Sequence, residues 1–228
     1  YAANASTRLG NHFNISASYN GYLQTQYDGT VKVNDSTRIN RVMHSASLSP
    51  SYSYDTDMLG HTASMSLNYT SNKDLNPYAK GETDVQTMAF GLSYSMDAKP
   101  IETNFTLSFS HQDSKGFSSH YRSDVLSLGA SRSFLKEKNL NFSGTLSLCY
   151  NEIKRQSKSL SMGCDLSANY TYKEAHMFSA SAGFNKYGDV NITKKRSSLD
   201  CTDISISFNY AYTFTLLAIK SKANKAKK

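Results

Sequence analysis

Residues 61–70 read HTASMSLNYT. His61, Ala63, Met65, Leu67 and Tyr69 alternate with Thr62, Ser64, Ser66, Asn68 and Thr70, one side chain apolar and the next polar. A period of two places these sets on opposite faces of a β-strand. The same alternation recurs along most of the chain and predicts ten strands, at 12–27, 41–55, 61–70, 85–96, 101–111, 121–134, 140–150, 159–172, 176–185 and 203–214. In the second of these, Val42, Ala46, Leu48, Pro50, Tyr52 and Tyr54 oppose Ser45, Ser47, Ser49, Ser51 and Ser53. In the last, Ile204, Ile206, Phe208, Tyr210, Tyr212 and Phe214 oppose Ser205, Ser207, Asn209, Ala211 and Thr213. Helical spacing fails almost everywhere.

Composition bounds what such strands build. The 228 residues are 39% apolar, and no run reaches the roughly 18 apolar residues of a membrane-spanning helix. The mean hydropathy of −0.52 does not exclude a transmembrane barrel, whose lumen-facing residues dilute any average. Net charge is +7, but Lys220, Lys222, Lys225, Lys227 and Lys228 supply five of those charges. No dense basic patch interleaves with aromatics, so a nucleic-acid partner is not expected. Residues 215–228 read as a basic tail. The chain opens at Tyr1 without Met, and residues 1–11 are expected to be a leader segment or the end of an upstream region. Cys149 falls on the polar parity, Cys164 on the apolar one and Cys201 at a strand start, so no disulfide framework and no metal-ligand spacing arises.

The predicted connections alternate in length. Short turns follow the second, fourth, sixth and eighth predicted strands; longer loops occupy 28–40, 71–84, 112–120, 151–158 and 186–202. An up-and-down antiparallel sheet gathers the turns at one rim and the loops at the other. Near each strand's C-terminal end stands an aromatic on the apolar parity: Tyr27, Tyr54, Tyr69, Tyr94, Phe109, Phe134, Tyr150, Tyr172, Phe184 and Phe214. Antiparallel order sorts them into two belts, as a lipid–water boundary favours.

Either a soluble sandwich or a membrane barrel produces two unlike faces. Water-exposed sheet faces carry Lys, Glu and Arg as protection against edge pairing. Here the polar parity is Ser, Asn, Thr and Gly, and strands of 10–15 residues exceed the usual soluble length of about 5–6. The expected fold is therefore an all-β, up-and-down antiparallel transmembrane β-barrel of about ten strands over 12–214, complete or part of a larger barrel. Three residues strain the pattern: Arg132 and His44 lie on the apolar parity near the rims, and Pro50 lies inside a strand.

These aromatic-ended dyad strands, the turn alternation and the last strand DISISFNYAYTF resemble outer-membrane β-barrel proteins of Gram-negative bacteria. LSLGASRSFLKEKNLNFSGTLSLCYN and DLSANYTYKEAHMFSASAGF are similar to the C-terminal strands of large surface barrels. The resemblance implies a bacterial outer-membrane location, short turns and termini in the periplasm, and long loops outside. It also implies contact with outer-membrane lipid, and delivery to the barrel-assembly machinery through a final aromatic matched by Phe214. The residues after Phe214 depart from the pattern, since such proteins usually stop at that aromatic.

For chemistry the sequence offers little. GxSxG, HExxH, P-loop and GxGxxG motifs are missing, and no cofactor is expected. The six histidines sit near strand ends: His12, His61 and His176 at one rim, His44, His111 and His120 at the other. A carboxylate-oriented imidazole activates water, so His111 with Asp113, joined by His120 and Asp124, is the candidate rim site. Ten-stranded membrane proteases build outer-rim sites from Asp and His, but their Asp-x-His arrangement is absent here. Glu102 and Asp165 are the acids expected on the lumen face. Asn-x-Ser/Thr triplets such as Asn68 and Asn169 fall mid-strand, where a glycan would break the sheet. The loop NEIKRQSK leans basic and suits lipid phosphates or an acidic glycan. Three functions follow: a passive pore (porin) or transport barrel for small solutes, a surface-display barrel whose loops bind a partner protein or ligand, and a rim-site hydrolase. The small neutral lumen favours the first.

Overall fold

The computed structural model describes residues 1–25, 40–76, 84–134, 139–173, 175–189 and 201–213. It holds one antiparallel meander of eleven strands: β1 (Ala2–Leu9), β2 (Phe13–Thr25), β3 (Asn40–Asp55), β4 (Leu59–Asp74), β5 (Val85–Ala98), β6 (Thr103–Gly116), β7 (His120–Phe134), β8 (Leu140–Ile153), β9 (Ser157–Tyr172), β10 (His176–Asp189) and β11 (Cys201–Tyr212). Each strand pairs with its sequence neighbours, so the order across the sheet is the order along the chain. The sheet is not closed among the described residues: β1 pairs only with β2, and β11 only with β10.

Register keeps like beside like. Leu67 lies opposite Phe90, Leu92 opposite Phe109, Leu107 opposite Leu128, and Leu128 opposite Leu146. The other face carries Ser64 opposite Ser93, Ser108 opposite Ser127, and Ser143 opposite Ser167. A slip of one residue on any strand would mix the two sets, so the alternation itself enforces the pairing. Among the described residues no second layer covers either face. Ala98, 8% exposed, is the one buried apolar residue among those described, and no large side chain is fully buried.

Eleven strands replace the ten predicted, because residues 1–11 contribute β1. The stretch AANASTRL has one large apolar side chain, Leu9 at its end, so alternation gives no signal there. It is held by its ladder to β2 and by Tyr1, whose ring covers Gly21 so closely that a Cβ at that position would collide with it. Gly10, at φ +65°, makes the β1–β2 turn in the left-handed region that suits glycine. That turn belongs to the short-turn rim, where Ser53 N–H donates to His12 O at 2.8 Å.

Two of the predicted long loops are tight hairpins instead. β6 and β7 run on until only residues 117–119 separate them, and β8 and β9 leave only 154–156. The apolar pattern stops there, but cross-strand opposites continue it: Asp113 faces Arg122, Arg122 faces Glu152, and Glu152 faces Lys158. Opposite charges across a ladder stabilise a sheet much as apolar pairs do. Pro50 is accommodated within a central strand. Ser49 and Pro50 drop out of the β3–β4 ladder, as a residue without an N–H requires, while the β2 side keeps Ile15 opposite Pro50.

Candidate functional site

Two surfaces carry polar chemistry, one on each face of the sheet. The first is the Ser/Thr/Asn/Gly face. Its hydroxyls pair across strands: Ser18 with Ser47 at 2.6 Å, Ser64 with Ser93 at 2.6 Å, Ser143 with Ser167 at 2.6 Å, and Ser181 with Ser207 at 2.7 Å. Asn104 Nδ2 donates to Ser95 Oγ at 3.0 Å. Each hydroxyl spends one hydrogen bond on its neighbour and keeps lone-pair capacity for water. Asp165 stands exposed on this face, opposite Thr145 on β8 and Gly183 on β10. Gly183 makes room for it, since a Cβ there would lie 2.9 Å from Asp165 Oδ1 and 2.7 Å from Ser205 Oγ. Glu102 is not on this face. It follows the 3-10 turn Lys99–Ile101 at φ +51°, outside any strand, because that turn absorbs the start of the predicted fifth strand.

The second surface lies at the loop rim of β6–β9, on the apolar parity. Here the sheet brings together all four residues of the predicted rim site, but in different pairs. His111 Nδ1 donates to Asp124 Oδ1 at 2.5 Å, and His120 Nε2 donates to Asp113 Oδ1 at 2.8 Å. The antiparallel register sets His111 directly opposite Asp124, so the two imidazoles exchange the carboxylates that sequence proximity suggests. Arg122 Nε donates to the second oxygen of Asp124 at 2.8 Å, and Lys115 approaches Asp113 at 3.9 Å. On β8 and β9, Glu152 accepts from Tyr150 Oη at 3.1 Å and pairs with Lys158 at 3.0 Å. Arg122, Glu152, Lys158 and Tyr150 belong to this cluster and carry no motif in the sequence. Their shared parity with Asp124 was the available signal. No group of three metal-ligating side chains occurs among the described residues.

The remaining histidines partner aromatics. Tyr19 Oη bonds His44 at 2.7 Å, Tyr94 Oη bonds His61 at 2.7 Å, and Tyr210 Oη bonds His176 at 2.8 Å. His12 meets Tyr54 edge-on at 5.4 Å. Phe134 packs against Phe142 at 5.5 Å and under the Arg132 guanidinium at 4.7 Å, which gives that cation a place at the short-turn rim. Of the other belt aromatics, Phe109 lies 6.2 Å from Phe90 and Tyr172 lies 6.0 Å from His176. Tyr69 and Phe184 are 43% exposed. Tyr27 and Phe214 lie outside the described residues.

Between the rims the apolar face holds three shallow depressions of about 450, 510 and 610 Å³, each crossing five or six strands. Leu, Phe and Tyr form their walls, and small residues such as Ala63, Ala130 and Gly144 their floors. Strands β2–β11 run 12–16 residues, about 41–54 Å at about 3.4 Å per residue, far beyond the usual soluble length of about 5–6 residues. No family model matches the sequence, and no curated protein does. Solved structures do match in fold. A loop L8 deletion mutant of OmpT, an outer membrane protein of Vibrio cholerae, is 8% identical at a TM-score of 0.53, over 92% of this chain. The chain spans 62% of that protein's length. Outer-membrane expressed OmpT of Vibrio cholerae is also 8% identical, at a TM-score of 0.49, over 92% of this chain and 87% of its own. The fold is that of an outer-membrane β-barrel.

Proposed function

We propose that the chain forms the wall of a passive pore for small solutes in the outer membrane of a Gram-negative bacterium. One observation carries the reading: a continuous face of paired Ser, Thr and Asn hydroxyls and amides, with Asp165 alone among strand-centre acids, opposes a face of exposed Leu, Phe, Met and Tyr. Polar side chains this small leave a lumen to water rather than filling it. The apolar face then meets acyl chains. From Asp124 to Phe134 on β7, about 3.4 Å per residue and a tilt of about 40° give a band about 26 Å tall, close to the roughly 25 Å of outer-membrane barrels.

Strand parity adds a condition. β1 and β11 run in the same direction, so a ring of purely antiparallel neighbours needs an odd number of further strands between them. A second copy inserted the same way up presents only parallel edges, and an inverted copy puts its loops on the wrong side. Further strands of one polypeptide satisfy the condition. The pore is tested by planar-bilayer recording on the full-length polypeptide. Stepwise conductance is expected, with cation preference reduced by Asp165→Asn. A folded, SDS-resistant barrel that conducts nothing would overturn it.

The two His–Asp pairs support a second reading, hydrolysis at the rim. Loss of a hydrolytic activity in His111→Ala, with folding and conductance intact, would favour it. A display role would rest on residues 26–39, 77–83 and 190–200, which lie outside the described residues.

A further inference from the structure

We propose that the outward-facing cluster at the loop rim of β6–β9 is a binding site for the phosphate of a membrane-lipid headgroup. The inference rests on the apolar face meeting lipid, but not on whether the lumen conducts. Position is the first argument. Phe109 and Leu126 end the apolar stripe of their strands, and His111 and Asp124 follow two residues further on the same parity. That step is about 5 Å along the membrane normal, where acyl chains give way to headgroups. Charged side chains on a lipid-facing parity are tolerated only at such a depth.

The exposure of the charges is the second argument. The acids are the more covered: Asp113 is 26% exposed, Asp124 19% and Glu152 23%. The cations are the more open: Lys115 is 62% exposed, Arg122 49% and Lys158 40%. Each acid pairs with one cation that is more exposed than itself, so the surface offered to a partner is positive although the cluster contains both signs. Arg122 is the centre of it. Asp124 takes the Nε–H and fixes the guanidinium plane, while both terminal nitrogens make no hydrogen bond to the described residues. A guanidinium with its terminal N–H groups free suits two oxygens of one phosphate.

The third argument is the β8–β9 turn. Lys154 and Arg155 are exposed in it, and the Lys154 N–H donates to His120 O at 2.8 Å, which ties the turn to the rim of β7. Five cations thus stand around three acids within one patch. The basic stretch NEIKRQSK is therefore no free loop, but the far wall of the same surface.

The test uses the full-length protein refolded into phosphatidylcholine vesicles containing spin-labelled phosphatidic acid or spin-labelled phosphatidylcholine. Lipid motion then reports which species the protein surface retains. Each cation near a membrane surface contributes about fivefold in affinity for an anionic lipid. A wild-type preference for phosphatidic acid of about 25-fold is expected from the two excess cations of the patch, falling to near parity in Arg122→Gln/Lys158→Gln. Asp124→Asn is the decisive variant. It adds positive charge, so a diffuse basic surface would bind more tightly, whereas a site that depends on an anchored Arg122 weakens. Stronger binding in Asp124→Asn, or equal retention of both lipids by the wild type, would overturn the proposal. Displacement of the lipid by millimolar inorganic phosphate would also overturn it, by making the natural ligand a soluble anion. Heat-dependent gel mobility checks that each variant is folded. Failure of the wild type to insert into vesicles at all would instead sink the membrane reading.

Discussion

Replacing Leu128 by Arg measures directly which face of the sheet meets lipid. Leu128 lies on β7 four residues beyond Asp124, about 10 Å below the loop edge of the apolar band and about 3 Å from its middle. Its cross-strand neighbours are Leu107 and Leu146, and 49% of it remains exposed on the sheet. An Arg on the lipid face near the midplane costs about 2–4 kcal/mol. That is roughly a thirty- to several-hundred-fold loss in the folding equilibrium. Ser127→Arg, one residue away on the opposite face among Ser108 and Ser147, enters water and costs about 1 kcal/mol or less. Leu128→Ala separates lipid from a protein core. A sealed core loses about 2–5 kcal/mol to such a truncation because a cavity remains. A side chain half open to acyl chains leaves no cavity, and the loss is about 1–1.5 kcal/mol. Urea titration in dilauroylphosphatidylcholine vesicles, followed by gel mobility and tyrosine emission, reads all three. A Ser127→Arg cost equal to that of Leu128→Arg, or a Leu128→Ala cost above about 3 kcal/mol, would refute the reasoning.

The chain contains no Trp, so single Trp substitutions report their own surroundings. Leu146→Trp is expected to emit in the blue and be quenched by lipids brominated at mid-chain, whereas Ser147→Trp stays unquenched; equal quenching would mean that the faces are misassigned. The native thiols give a complementary result. Cys149, on the polar face with its Sγ 3.2 Å from Asn151 Nδ2, is expected to react with a charged methanethiosulfonate in the reconstituted protein. Cys164, between Leu146 and Phe184 on the apolar face, should be protected until detergent is added; the reverse order of labelling would place water on the wrong side.

Much of this architecture is legible in the residues themselves. Wherever large apolar and small polar side chains alternate, as in Met88–Leu92–Tyr94 or Ile204–Phe208–Tyr212, period two assigns the strand and sorts its faces. β1 escapes because Ala, Asn, Ser and Thr differ too little in hydropathy to mark a face. The ends of β6–β9 escape for another reason. HQDSK and NEIK look like loop when each is read alone, since a charge is satisfied by water as readily as by a partner.

Only the tertiary structure supplies that partner. Antiparallel register sets His111 against Asp124 rather than beside Asp113, and stands Arg122 between two acids contributed by different strands. It also takes Glu102 off the Ser/Thr/Asn face and into a left-handed turn. Alternation is a property of one strand, and one strand's sequence suffices to fix it. Which charges meet depends on the offset between strands, which is set by turn geometry and by the apolar pairs far below the rim.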